Sequence, residues 1–173
     1  NSDMSSIVER KLADYLGKKH SQNNEERKHV TIMFTDIAGY TSQMSKDQDI
    51  AISLLDTKLD ALKQLIKKYK GTLVKEMGDG TLSYFSSALN ATKCSTELQK
   101  ILKSNHKLNV RVGIHQGEAL FRNKDVFGDV VNIASRLETM APPGGILVSK
   151  SIYDMVSSKN EYNGVPLGLQ SMK

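Results

Sequence analysis

Apolar residues recur along this chain in two patterns, one typical of strands and one typical of helices. The compact apolar run Val30–Ile37 predicts a strand over residues 30–36. Beyond it, apolar residues follow one another at steps of three and four, which predicts a long helix: Ile52, Leu55, Leu59, Leu62, Ile66 and Tyr69. Ser45 and Gln48 have the spacing of a capping box at the start of that helix, and Gly71 predicts its end.

The alternation continues through the second half of the chain. The predicted elements are a hairpin over 72–85, a helix over 87–104, a strand over 109–115 that turns at Gln116-Gly117 into a second strand over 118–122, a helix over 130–139, a strand over 145–149 and a helix over 151–157. This order predicts an α/β (α+β) fold, in which a mixed sheet is flanked by helices on one or both faces.

Residues 1–29 differ from the rest of the chain, because they carry only a weak helical stripe followed by a fully polar stretch. We interpret them as a connector or signalling helix, and residues 30–173 as one domain. An apolar content of 39% is enough for a single core. Since the chain starts at Asn1 rather than at a methionine, we expect it to be a fragment of a longer protein.

Composition excludes several classes of protein. No apolar run approaches the ~20 residues of a membrane span, and no signal peptide opens the chain. The single cysteine, Cys94, cannot form an internal disulfide, which favours a reducing compartment. The net charge of +5 is spread along the sequence, so it favours an anionic small ligand and not a nucleic acid.

Two aspartates lie where predicted strands end, and they are the main candidates for chemistry. Asp36 closes the first strand, and Asp79 is the centre of Gly78-Asp79-Gly80 in the hairpin. Carboxylates on neighbouring strand ends suit a two-metal site, because Mg²⁺ prefers oxygen ligands. The alternative is structural, since Gly-Asp-Gly is also a good hairpin turn and Asp36 could cap the element that follows.

Asn132 and Arg136 are four residues apart on the helix predicted over 130–139. They therefore share one face, while Val130, Ile133, Ala134 and Leu137 fall on the face predicted to meet the core. A solvated surface arginine is the alternative interpretation of Arg136.

Four motifs appear in an order that resembles the catalytic domain of class III nucleotide cyclases. They are Phe34–Thr41, Lys75–Gly80, Arg111–His115 and Asp125–Arg136. The resemblance covers the chain after the connector and implies a ferredoxin-like mixed sheet. It further implies an adenylyl cyclase, which converts ATP to cyclic AMP and pyrophosphate.

The resemblance also implies roles for individual residues. Asp36 and Asp79 would bind two Mg²⁺ or Mn²⁺ ions, assisted by the backbone carbonyl of Ile37. Arg136 would stabilise charge that develops at the α-phosphate, and Asn132 would position the ribose.

The remaining implied roles concern the nucleotide. Arg111 and Lys173 would bind the triphosphate, although a cross-strand ion pair is an alternative for Arg111. Lys75 and Asp125 stand at the two positions that contact the purine in this family, and their donor and acceptor groups match adenine. As alternatives, Lys75 could be an edge-strand lysine and Asp125 a solvated loop residue. The family continues through one more strand after Lys173, so activity of this chain is in question.

Assembly and partners follow from the same resemblance. Each active site of the family lies between two domains, and this chain carries both sets of residues, so we expect a homodimer. The alternatives are that the chain pairs with a different cyclase half, or that the connector helix must first align two copies. We also expect an upstream sensor or regulatory region and a cytoplasmic catalytic domain, whose parent protein could be membrane-anchored. The alternatives are a guanylyl cyclase, disfavoured by Lys75 and Asp125, and a degenerate, purely regulatory cyclase domain. A diguanylate cyclase lacks support, because its Gly-Gly-Asp/Glu-Glu-Phe signature is missing.

Overall fold

The computed structural model describes residues 11, 25–106, 108–159, 162 and 164–167. The strands of this part of the chain are β1 Glu26–Ile37, β2 Thr72–Met77, β3 Gly80–Phe85, β4 Val110–Arg122, β5 Asp125–Phe127 and β6 Ile146–Val148. Its helices are α1 Tyr40–Lys46, α2 Gln48–Lys68, α3 Ala88–His106, α4 Asp129–Met140 and α5 Lys150–Ser157. Most of the predicted connector and Lys173 lie outside the described residues, so the connector remains a prediction.

The strands form one mixed sheet flanked by helices, which confirms the predicted α+β fold. The strand order is β2-β3-β1-β4-β5, and all of these neighbours are antiparallel. Strand β6 adds a parallel pairing to the middle of β4. Strand β1 begins at Glu26, four residues before the predicted start, because its first residues pair with the end of β4.

The helices cover the two faces of the sheet unequally. Helices α2, α3 and α5 pack on one face around Met33, Val112 and Ile114. Helix α4 packs on the other face, where Ile32, Phe34 and Leu82 are buried. Among the helices that the structure describes, none has the length and apolar character that crossing a bilayer requires.

The predicted turn at Gln116-Gly117 is wrong. Strand β4 runs without interruption from Val110 to Arg122, because Gln116 and Gly117 pair with Thr31 and Val30 of β1. Gly117 serves packing instead of turning, since a Cβ added there would lie 3.3 Å from Cβ of Val130 in α4.

The predicted start of the long helix is also wrong. Asp47 caps α2, and its side chain accepts a hydrogen bond of 3.0 Å from the backbone N–H of Ile50. Ser45 belongs to α1, a short helix that the apolar pattern does not predict, and its hydroxyl donates to the carbonyl of Thr41. Ile52, expected on the buried stripe of α2, is 43% exposed.

Candidate functional site

The strand ends that carry Asp36 and Asp79 meet at one end of the sheet. Strands β1 and β3 are antiparallel and pair Thr35 with Thr81, so the last residues of β1 lie beside the turn that precedes β3. The backbone N–H of Ile37 donates a 2.9 Å hydrogen bond to Oδ2 of Asp79. The predicted proximity of these two segments is therefore a feature of the fold.

A fully buried lysine connects the same two segments. Lys58 extends from α2, is 0% exposed, and its ammonium donates to the backbone carbonyls of Thr35, at 3.2 Å, and Asp79. Burial lowers the pKa of Lys58 to about 8, and the Asp79 and Asp36 carboxylates oppose that shift. Lys58 is thus a brace between the end of β1 and the β2–β3 turn.

Arg111 lies opposite Asp36 across the β1–β4 pair and binds it with two nitrogens. Its Nε donates to Oδ1 of Asp36 at 2.9 Å, and its Nη2 donates to Oδ2 at 2.5 Å. A third nitrogen, Nη1, donates to the carbonyl of Thr139 at the end of α4, at 3.2 Å. The cross-strand ion pair anticipated as an alternative for Arg111 is present, and it occupies a carboxylate expected to bind metal.

Glu138 of α4 is the second acidic side chain beside Arg111. It is 8% exposed, and its Oε1 is 3.5 Å from Nε of Arg111 without a hydrogen-bond partner. Burial, followed by the neighbouring Asp36, raises the pKa of Glu138 to about 8, while Arg111 acts in the opposite direction. The position of Glu138 depends on Gly113, because a Cβ added there would lie 2.1 Å from the backbone nitrogen of Glu138.

We refer to Asp36, Lys58, Asp79, Arg111 and Glu138 together as the carboxylate end. The donor set fits a hard divalent cation, since Asp36 and Asp79 supply carboxylate oxygens and Ile37 adds a backbone carbonyl. Two protein cations already lie against these segments, Arg111 on the Asp36 carboxylate and Lys58 on the backbone carbonyls of Thr35 and Asp79. Among the described residues, no group of three or more His, Cys, Asp or Glu side chains is arranged to hold a metal.

Lys75 and Asp125 form a second cluster, although their strands lie at opposite ends of the strand order. The Lys75 ammonium donates to both carboxylate oxygens of Asp125, at 2.9 and 2.8 Å. This pair requires the sheet to curl until β2 approaches β5. Hydrogen bonding from Lys75 lowers the pKa of Asp125.

A β-bulge in β2 directs Lys75 towards Asp125. Leu73 pairs with Ser83, but the next pair joins Lys75 to Leu82, so one extra residue is inserted between them. Because opposed residues share a face, the bulge places Lys75 on the face of Leu82, which is the face covered by α4. Without the extra residue, Lys75 would point to the opposite face.

An open cavity of about 390 Å³ adjoins this pair. Its walls come from both ends of the curled sheet, and Tyr84 and Phe121 form an edge-to-face contact there with ring centroids 4.9 Å apart. Asp125 and Lys124 supply charge at its rim. The cavity is therefore largely apolar with charged residues in its lining, which suits a heterocyclic ring.

Asn132 and Arg136 lie on the solvent side of α4, which we call the outer face of α4. Both are exposed, whereas Val130, Ala134 and Leu137 are buried against the sheet, as the helical spacing predicts. Within the part of the chain that the structure describes, no hydrogen bond or ion pair engages the side chain of Asn132 or Arg136. The fold does not join these two residues to the carboxylate end.

Sequence reasoning missed Lys58 and Glu138, although each left a signal. Lys58 is three residues after Leu55 and four before Leu62, so it interrupts an apolar stripe. Glu138 is four residues after Ala134 and eight after Val130, in line with the buried face of α4. A charged residue at a core position of an amphipathic helix needs a partner, which is a reason to suspect a site.

Comparisons with known proteins show which family this sequence resembles. The sequence profile of the family "Adenylate and Guanylate cyclase catalytic domain" matches residues 22–173. The chain is 31% identical to a Rhizobium meliloti protein named "Putative adenylate cyclase 3", over 85% of this chain and 26% of that protein. It is 27% identical to the receptor-type guanylate cyclase gcy-13 of Caenorhabditis elegans, over 91% of this chain and 18% of that protein.

The fold agrees with a solved structure as well. The crystal structure of an adenylate/guanylate cyclase/hydrolase from Silicibacter pomeroyi superimposes with a TM-score of 0.79 at 31% identity, over 87% of this chain and 92% of that one. The curated relatives are much longer, since the chain spans 26% and 18% of the two compared.

Proposed function

This chain belongs to the family of adenylate and guanylate cyclase catalytic domains, and from that premise we propose that it is an adenylyl cyclase. It would convert ATP to 3′,5′-cyclic AMP and pyrophosphate. The observation that carries the choice of ATP is the pairing of Lys75 with Asp125, 2.8 Å apart at the edge of the apolar cavity.

The pair matches adenine by hydrogen-bond polarity. Adenine presents an acceptor at N1 beside a donor at its 6-amino group. A lysine can donate to the first and an aspartate can accept from the second. Guanine presents a donor at N1 and an acceptor at O6, which would leave both side chains facing groups of their own kind. The ring would be held between the apolar walls that Tyr84 and Phe121 help to form.

The carboxylate end would perform the chemistry. Asp36, Asp79 and the carbonyl of Ile37 would hold two divalent ions, Mg²⁺ or Mn²⁺. When bound, the ions supply the positive charge that eases ionisation of the ribose 3′-hydroxyl and offsets the charge of the departing pyrophosphate. A bond then forms between the 3′-oxygen and the α-phosphorus, and the bond from that phosphorus to the bridging oxygen of pyrophosphate breaks. The hydroxyl proton passes to solvent.

Three further residues would bind and orient the substrate. Arg111 would contact the triphosphate once it leaves Asp36, and Arg136 would offset charge developing on the α-phosphate, where a planar, permanently charged guanidinium is well suited. Asn132 would hold the ribose in line for attack. Lys173 remains a proposed phosphate contact that lies outside the described residues.

We propose that two copies of the chain form each site. The exposure of Asn132 and Arg136 supports this, since both are available to a nucleotide held by the carboxylate end of another copy. A symmetric homodimer would contain two such sites. The length of the relatives supports a sensor or regulatory region elsewhere in the parent protein. Cys94 is a buried free thiol, which supports the reducing cytoplasm as its location.

The test is product analysis with each nucleotide. The protein is incubated with ATP or GTP and either Mg²⁺ or Mn²⁺, and cyclic nucleotide and pyrophosphate are measured, with Asp79→Asn as the inactive control. We expect cyclic AMP and pyrophosphate in equal amounts and at least about tenfold less cyclic GMP. Predominant cyclic GMP would make the protein a guanylyl cyclase. A folded dimer no more active than Asp79→Asn would contradict enzymatic function.

A further inference from the structure

Arg111 lies beside two acidic side chains and forms hydrogen bonds with only one of them. Two of its nitrogens bind Asp36 at 2.9 and 2.5 Å, whereas Oε1 of Glu138 is 3.5 Å from its Nε and has no hydrogen-bond partner. Glu138 is 8% exposed, so water does not replace the missing partner freely. A buried side-chain oxygen without a hydrogen-bond partner is costly, and a native structure that keeps one calls for an explanation.

The Asp36 carboxylate cannot bind the Arg111 guanidinium and a divalent metal ion equally well at the same time. Both of its oxygens accept hydrogen bonds from the guanidinium, and a divalent ion needs the same lone pairs. A metal ion near Asp36 would also repel Arg111. The arginine therefore has to leave Asp36 before that carboxylate can bind an ion, and its displacement is part of the cost of metal binding.

We propose that Glu138 is a positioning residue that receives Arg111 when a divalent cation takes its place on Asp36. This inference rests on the proposed function, since it takes Asp36 as a metal ligand. In the metal-free chain Arg111 neutralises Asp36, and in the metal-bound chain it pairs with Glu138 at the border of the phosphate site. Glu138 thereby offsets the cost of uncovering Asp36 without contacting metal or nucleotide.

The geometry makes this exchange a small movement. Glu138 Oε1 already lies 3.5 Å from Arg111 Nε, so a rotation of the arginine side chain is sufficient. Nη1 of Arg111 holds the carbonyl of Thr139, next to Glu138, so the guanidinium is anchored on that side during the change. The backbone of Glu138 is fixed against β4 at Gly113, where no side chain fits between the helix and the strand.

The experiment measures Mn²⁺ binding to the chain without nucleotide, by following the EPR signal of free Mn²⁺ up to millimolar concentrations. Glu138→Gln keeps the size of the side chain, and we expect it to raise the Kd for Mn²⁺ by about tenfold, as loss of an outer partner commonly does. Glu118→Gln is the matched control, since it removes an exposed carboxylate of β4, the strand that also carries Arg111, and this carboxylate pairs with Arg27. That variant should bind Mn²⁺ as the unmodified chain does.

The double variant Arg111→Met, Glu138→Gln isolates the role of the arginine. Without Arg111, Glu138 has no guanidinium to pair with, so Glu138→Gln should change the Kd of the Arg111→Met variant for Mn²⁺ by less than about twofold. Arg111→Met alone should bind Mn²⁺ more tightly than the unmodified chain. If Glu138→Gln does not fold, this comparison tests whether Arg111 competes with the metal ion for Asp36. An unchanged Kd in folded Glu138→Gln, or a full effect that persists without Arg111, would overturn the proposal.

Asp36→Asn separates this inference from the proposed function. If Asp36→Asn abolishes Mn²⁺ binding while Glu138→Gln leaves it unchanged, only the role of Glu138 is wrong. If Asp36→Asn binds Mn²⁺ as the unmodified chain does, or if no Mn²⁺ binds at all, the metal assignment of the proposed function fails together with the inference.

Discussion

The carboxylate end and the outer face of α4 carry the residues with the proposed chemistry, and the fold treats them in opposite ways. At the carboxylate end, Asp36 is held by Arg111, and Lys58 bonds the carbonyls of Thr35 and Asp79. On the outer face of α4, Asn132 and Arg136 are exposed and make no hydrogen bond or ion pair with the residues that the structure describes. The charged groups of the carboxylate end are paired within the chain, whereas the polar groups on the outer face of α4 have no partner among the described residues.

This difference bears on how the site is assembled. Buried charges are stable only when paired, so the chain must complete the carboxylate end by itself in order to fold. Exposed polar residues carry no such requirement, and their positions can be set by what they bind. The proposed completion of the site by a second copy would account for the difference in burial between the two sets of residues.

The largest effect is expected from mixing two inactive variants. Asp79→Asn removes a proposed metal ligand, yet its amide oxygen can still accept from the N–H of Ile37. Arg136→Ala removes a side chain without a partner in the described structure. Each homodimer lacks a necessary group at every site, so each variant should be inactive. On mixing, half of the dimers are mixed and hold one intact site of two, so about a quarter of the unmodified activity should return.

Subunit exchange must be shown independently for that result to count, for example with two distinguishable affinity tags. If both variants are folded and inactive and the exchanged mixture still produces no cyclic AMP, the shared site is wrong. Substantial activity in Arg136→Ala alone would instead show that the outer face of α4 is an ordinary solvated surface.

A smaller effect is expected at the Lys75–Asp125 pair, which lies outside both regions. Lys75→Glu with Asp125→Cys replaces the donor and acceptor that match adenine. The ratio of ATP to GTP turnover should fall by at least about tenfold, because mismatched polar groups would be left unpaired against the purine. The measurement is kcat/KM for both nucleotides, with Lys124→Gln at the rim of the same cavity as the control. An unchanged ratio would mean that the pair does not contact the base.

The contrast between the two regions also explains what could be predicted from the sequence. Periodicity placed Asn132 and Arg136 on one face of a helix because exposure depends only on local spacing. The approach of Asp36 to Asp79 was predicted from strand ends and the family motifs. The partners Lys58 and Glu138 were missed, because their contacts depend on how helices pack across the sheet. Lys75 meets Asp125 only through a bulge and a curl of the sheet, which strand patterns do not encode.

The turn predicted at Gln116-Gly117 failed for a related reason. Glycine is typical of turns, but it also occurs where another backbone approaches closely, and sequence alone does not distinguish these uses. Gly113 and Gly117 both face α4, and they allow that helix to lie close to β4. The same close packing of α4 against β4 brings Glu138 beside Arg111. The wrong turn prediction at Gly117 and the failure to predict Glu138 therefore have the same cause.

The smallest effect concerns stability and compares the two regions directly. Lys58→Met keeps the length of the side chain but leaves the carbonyls of Thr35 and Asp79 without their donor. The free energy of unfolding should fall by about 2–4 kcal/mol, since one buried and one partly buried carbonyl lose their donor. Lys63→Met on the same helix is the matched control. Its exposed ion pair with Glu76 has an N–O distance of 2.7 Å, and its loss should lower the free energy of unfolding far less than the loss of Lys58 does.

Arg136→Ala completes this comparison, and its free energy of unfolding should lie within about 0.5 kcal/mol of the unmodified chain. All variants would be unfolded in urea at one protein concentration, because dimer formation adds a concentration-dependent contribution to stability. A Lys58→Met variant as stable as Lys63→Met would show that the carboxylate end does not depend on its buried lysine. A loss in Arg136→Ala as large as that in Lys58→Met would show that the outer face of α4 is braced as well. In that case the carboxylate end and the outer face of α4 would not differ in how strongly the chain itself holds them. The structural support for a site completed by a second copy would then be lost.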